Sequence, residues 1–149
     1  MLTVDDQFAC LRCVRNHLAP GGRLAINIFN PDIAIMGQWL TTKRGAVQGR
    51  RDDSLHPTTG RIIKAWETRS YHPATQEVRS QFIDEEVADD GVVASKVYRG
   101  LRLRYLFRYE MEHLLIRAGY EVEALYGDCF NSEFEDTSPE MIWLARAGQ

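Results

Sequence analysis

Residues 18–31, LAPGGRLAINIFNP, fix more of the architecture than any other stretch of the chain. Ahead of them Val4, Phe8, Leu11, Val14 and Leu18 recur at helical spacing and form one apolar face. Thr3 is placed to cap that helix, and Asp5 and Asp6 set carboxylates at the positive end of its dipole. Pro20-Gly21-Gly22 stops the helix. Residues 23–29 follow as a strand in which Leu24, Ile26 and Ile28 alternate with Ala25 and Asn27. The small Ala25 implies that the second face of this strand is covered too. A helix fed through a tight turn into an apolar strand is the unit of an open α/β sheet, and such sheets hold ligands at the carboxyl ends of their strands. Phe29 and Asn30 stand at that end. Each has a plainer reading: Phe29 as a core aromatic, and Asn30 as the cap of a short helix over 31–40 with Pro31 at its first position.

Residues 41–60 differ in character. Lys43, Arg44, Arg50 and Arg51 crowd together with Gly45, Gly49, Pro57 and Gly60, which predicts a mobile, solvated loop, with an anion site as the competing reading. Three β-rich segments come next, at 61–71, 77–87 and 92–106. Turns at His72-Pro73-Ala74-Thr75 and Asp89-Asp90-Gly91 make them antiparallel neighbours. Gly100 marks a bulge or bend in the third. A second helix spans 107–118, its stripe being Phe107, Met111, Leu114, Leu115 and Ala118, and Gly119 caps it. A strand at 120–127 carries Val122, Ala124 and Tyr126 on one face. An irregular acidic stretch with Glu133, Glu135 and Asp136 leads to a last strand at 141–147.

The chain of 149 residues suffices for one domain with a real core. A net charge of −3 argues against nucleic acid as a partner. No run approaches the roughly 18 apolar residues of a membrane span, and the acidic start does not resemble a signal peptide. Three cysteines, an odd count, suggest a reduced, cytoplasmic protein. Cys10-x-x-Cys13, with His17 and Cys129, invites a zinc reading. No second close pair exists to complete four donors, and cysteines inside a helix pack as small hydrophobes. His113 falls on a charged helix face, and the acidic stretch lacks the glycine turn of a calcium loop. No nucleophile–base set is visible. Neither catalytic residues nor metal ligands are therefore assigned.

In order and spacing, four pieces resemble the C-terminal half of class I S-adenosylmethionine-dependent methyltransferases, in the branch with a small antiparallel insertion. LRCVRNHLAPGGRLAINIFNP is similar to the family's helix, turn and fifth strand. Residues 61–106 resemble the insertion over the substrate side. LFRYEMEHLLIRAGYEVEALYGD is similar to the final helix and sixth strand, and SPEMIWLARA to the antiparallel seventh. The resemblance implies one α/β domain over 1–149, a partial Rossmann-like sheet of strands five, seven and six, and an antiparallel insertion. It implies substrate contacts at Phe29, Asn30, Tyr105 and Arg108, with a small-molecule acceptor. The family's cofactor is S-adenosylmethionine, held by a glycine-rich loop and a ribose-binding acid that have no counterpart in this sequence. The expectation is a methyltransferase half that binds the cofactor weakly and is inactive alone. Its partner is then the missing N-terminal half or a second copy, meeting it through residues near 1–36. A non-enzymatic binding or assembly domain that reuses the half-fold is the alternative.

Overall fold

The computed structural model describes residues 1–41 and 47–148, so Lys43, Arg44 and Gly45 of the expected basic loop lie outside the described residues. The elements run α1 (Val4–His17), β1 (Arg23–Phe29), α2 (Ile33–Thr41), β2 (Val47–Arg50), β3 (Ser54–Leu55), β4 (Ile62–His72), β5 (Glu77–Val87), β6 (Val93–Arg104), α3 (Arg108–Arg117), β7 (Tyr120–Tyr126) and β8 (Glu140–Ala147). They form two compact units, Met1–Asp32 with Arg104–Gln149, and Ile33–Leu103. Among the described residues no helix is long and apolar enough to cross a membrane.

In the first unit the sheet order is β1-β8-β7, with β8 antiparallel to both neighbours. This is the expected order of strands five, seven and six. The helix before it starts where the sequence predicts: the Thr3 hydroxyl accepts from the Asp6 N–H at 3.1 Å. Gly21 takes a left-handed φ of 71°, and a Cβ on Gly22 would lie 2.8 Å from the Ala19 carbonyl oxygen, so both glycines are required by the turn. Leu11 of α1, Met111, Leu114 and Leu115 of α3 and Ala118 at its C-cap pack on Met141, Trp143 and Ala145 of β8. Arg15 ties α1 to the sheet, donating to the carbonyls of Gly119 (3.0 Å) and Gly148 (2.7 Å).

Three local expectations fail here. Ala25 and Asn27 are exposed, so the second face of β1 is open in this chain, and Phe29 is 41% exposed rather than core. The single-face alternation of β7 breaks at a bulge between Val122 and Ala124. One extra residue, Glu123, turns Leu125 opposite Trp143 on the buried side and sends Ala124 and Tyr126 to the other face, opposite Leu144 and Ile142. The bulged Glu123 is held by Arg23 at 2.6 Å, which lowers its pKa.

In the second unit the order is β2-β4-β5-β6, with β3 also paired to β4 and α2 packed on β4. Residues 47–50 and 54–55 are thus strands, not a continuous loop. β2 pairs antiparallel with β4 through its backbone, a pairing that the residue types Val-Gln-Gly-Arg do not advertise. The two predicted turns are present. Gln76 takes φ 52° in the first and Gly91 φ 83° in the second, where Ala88 N–H donates to Val92 O at 2.8 Å. β5 and β6 are joined by charges: Glu77 to Arg102, Asp84 to Arg99, Glu85 to Lys96 at 2.7 Å. Numbers fall on β5 as they rise on β6, so the hairpin is antiparallel.

Glu77 is 7% exposed and accepts from Arg102 at 2.8 and 2.5 Å and from Arg79 at 3.2 Å. Hydrogen bonds from Arg102, then from Arg79, bring its pKa from 4.5 to about 2, against the opposing effect of burial. A carboxylate with a depressed folded-state pKa stabilises fully above its unfolded value and loses that contribution as pH falls through the folded one. The melting temperature is therefore expected to fall as pH drops from 4.5 toward about 2. Glu77→Gln should lower it at neutral pH and flatten that acid limb. Parallel acid limbs in the two proteins would show that Glu77 is not the group responsible.

Candidate functional site

The carboxyl end of β1, the matching end of β7 and the start of β8 meet at one rim of the first unit's sheet, the edge where α/β sheets place their ligands. The segment 127–139 closes that rim. It is built by its own backbone needs. The Asp128 carboxylate accepts from the N–H groups of Phe130 (2.8 Å) and Ser132 (3.1 Å), an Asx turn that the sequence Gly-Asp-Cys-Phe-Asn-Ser could have announced. Hydrogen bonds from Ser132, then from the Phe130 N–H, lower the pKa of Asp128. Gly127 N–H donates to Ser132 O at 2.9 Å, and Ser138 Oγ accepts from Glu135 N at 2.9 Å.

Two of the four expected substrate residues engage this segment. Asn30 does not cap α2, which begins at Ile33. Its side-chain amide donates to Ser138 O at 2.8 Å and its N–H to Pro139 O at 2.9 Å. Arg108, first residue of α3, lies with its guanidinium 5.7 Å from the Phe134 ring and 5.2 Å from the Tyr109 ring. Phe29 ends β1 opposite Glu140, on the open face. Tyr105 is not on the surface. It is 2% exposed, inside the core, with its ring edge-on to Phe107 at 5.7 Å.

Sequence reasoning missed the polar pair beside Phe29. Asn27 Nδ2 donates to Glu140 Oε2 at 3.1 Å, and the Cys129 thiol lies 3.9 Å from the same oxygen. Asn27 was legible only as a polar break in an apolar strand, and Glu140 as the residue before one. The rim therefore offers an exposed aromatic, two amides, a carboxylate and a thiol. Cys10, Cys13 and Cys129 are free thiols, and among the described residues no three potential metal ligands converge. His17 donates to Cys13 O at 2.7 Å, as a helical turn allows.

No family model matches the sequence, and no curated protein does. Solved structures do. The CcbJ methyltransferase from Streptomyces caelestis is 26% identical, with a TM-score of 0.77 over 99% of this chain and 56% of that one. A S-adenosylmethionine-dependent methyltransferase from Clostridium acetobutylicum gives 15% identity and a TM-score of 0.73, over 100% of this chain and 54% of that one. CalS10, an amino pentose methyltransferase from Micromonospora echinaspora solved with S-adenosylmethionine bound, gives 17% and 0.60, over 99% and 52%. The last two are likenesses of fold. The chain spans about half the length of each structure.

The described residues do not fit S-adenosylmethionine. Such a site needs a glycine-rich turn from a strand into a helix, so that backbone can approach the ligand, and a carboxylate free for the ribose hydroxyls. Among the described residues Gly127-Asp128 after β7 comes nearest. There the space beside Gly127 is filled by Ser138, whose Oγ lies 2.2 Å from where a Cβ would be. The Asp128 carboxylate is committed to its own loop.

Proposed function

We propose that residues 1–149 form the C-terminal, acceptor-side half of a S-adenosylmethionine-dependent methyltransferase, of the branch with an antiparallel insertion between the fifth strand and the last helix. The whole fold transfers a methyl group to a small acceptor. The observation that carries this reading is the β1-β8-β7 order with β8 reversed, in a chain that matches the Streptomyces caelestis methyltransferase over 99% of its own length and 56% of the other. The sheet of the second unit, lying in sequence between β1 and α3, supports the choice of branch.

Methyl transfer asks chiefly for in-line placement of an acceptor against an activated methyl group. Phe29, Asn30 and Arg108 are positioned for that role at the rim: Phe29 as an exposed apolar surface, Asn30 and Arg108 by holding the 127–139 segment in place. The cofactor is supplied by a half that these residues do not contain, so the chain alone is inactive. Calorimetric titration with S-adenosylmethionine tests this. No one-to-one binding is expected at a dissociation constant in the low micromolar range, about −8 kcal/mol. Binding of that strength would overturn the half-fold reading. A methyltransferase N-terminal half encoded immediately upstream, giving cofactor binding when co-expressed with this chain, would establish it.

A further inference from the structure

We propose that β6 is the surface through which two copies of this chain associate, as an antiparallel β6–β6 pair across a two-fold axis at Val97. The inference stands independently of the methyltransferase reading.

β6 ends the strand order of its sheet, so its outer side carries backbone donors and acceptors with no strand beside them among the described residues. Such an edge is a template for another strand unless something guards it, and the usual guards are lysine or arginine, proline or a bulge. β6 has no proline. Of its four cations Arg104 pairs with Glu110, and the other three pair with carboxylates of β5: Lys96 with Glu85, Arg99 with Asp84 and Arg102 with Glu77. Their charges are spent on the neighbouring strand. These side chains stay partly exposed, and apolar residues stand in water beside them. Val93, Val97, Tyr98, Leu101 and Leu103 are all exposed, Val97 by 50%. Alternation places Val93, Val97, Leu101 and Leu103 on one face, the face of Arg99 and its partner Asp84.

The sequence of β6 selects the occupant. With a two-fold axis at Val97, Val97 meets its own copy and Val93 meets Leu101 of the partner subunit. Lys96 then faces the partner's Tyr98, the same cation and ring that already approach to 5.5 Å within one chain. Arg99 faces the partner's Ser95, and Arg102 the partner's Val92. No like charges are opposed. Moving the axis to Arg99 would set Arg99 against itself and Lys96 against the partner's Arg102, which is unfavourable. Moving it to Tyr98 would set Val97 against the partner's Arg99. A two-fold pair also uses up both open edges at once and closes as a dimer, which a head-to-tail arrangement does not.

Light scattering of the 149-residue chain at micromolar concentrations reads the outcome. The wild-type chain is expected to be a dimer. Val97→Lys and Val97→Glu, each opposing two like charges across the axis, should weaken it by on the order of tenfold or more in dissociation constant. Circular dichroism should show both variants folded, since Val97 is half exposed and its replacement opens no cavity. An equimolar mixture of the two should recover the dimer, because the introduced charges face each other. Ala25→Lys, on the exposed face of β1 within residues 1–36, should leave the dimer intact. A wild-type monomer, a Val97→Lys dimer of unchanged strength, a mixture that stays monomeric, or a dimer lost only with Ala25→Lys would each overturn the proposal.

Discussion

Trp143→Ala should remove about 3–5 kcal/mol from the stability of the first unit, the range for emptying a buried large aromatic site. Trp143 is 1% exposed at the middle of β8. It stands between Ile26 of β1 and Leu125 of β7, where the central strand holds both neighbours in register. Leu11 and Leu115 of the covering helices belong to the same cluster. The site cannot collapse easily, because two strands and two helices meet there and each is tied by other bonds, Arg15 among them. Trp143→Phe should cost much less than Trp143→Ala. It keeps an aromatic in place and removes the indole N–H, which is buried without an acceptor among the described residues; such an unpaired donor is itself unfavourable by about 1–3 kcal/mol. Urea denaturation followed by circular dichroism measures both variants. A Trp143→Ala protein within about 1 kcal/mol of wild type would mean that β8 is not the centre of this core.

That core was legible because its rules are local. Of the two stripes that helical spacing picked out, Leu11, Met111, Leu114, Leu115 and Ala118 are buried, whereas Val4 and Phe107 at their starts are exposed. Thr3 and Pro20-Gly21-Gly22 bounded α1, because capping and positive φ restrict the residues that can serve. The bounds of β5 at Glu77 and Val87 followed from flanking turns whose chemistry is equally restrictive. The misses share a different cause. Ala25 was read as a covered position from its size alone, whereas coverage depends on what lies over the sheet. The β7 bulge was hidden because Val122, Ala124 and Tyr126 keep the alternation in sequence that the extra residue destroys in space. β2 and β3 are held by backbone pairing to β4, which their side chains do not encode. At the rim, Asn30 was found by its place after a strand, but its partners Ser138 and Pro139 lie more than a hundred residues away. Sequence spacing carries no sign of that contact.

Gly127→Ala should then disturb the rim more than its single methyl group suggests. An ideal Cβ at Gly127 would lie 2.2 Å from Ser138 Oγ, 2.9 Å from Ser138 Cβ and 3.1 Å from the Glu133 carbonyl oxygen. Ser138 cannot swing aside freely, since its Oγ accepts from Glu135 N and its carbonyl from the Asn30 amide. The expected cost is that of overpacking, about 1–3 kcal/mol. The disturbance should concentrate between residues 128 and 139, where Asn30 would lose its acceptor. Ser138→Gly removes both close side-chain atoms at the expense of the Glu135 hydrogen bond, so it is mildly destabilising alone. Combined with Gly127→Ala it should relieve the clash, leaving the double variant more stable than the sum of the two changes predicts. Thermal melts of the four proteins measure that coupling, and amide hydrogen exchange over 128–139 locates it. Strictly additive melts, with exchange at Phe130 and Ser132 unchanged, would show that the segment yields without strain and that Gly127 does not hold the rim.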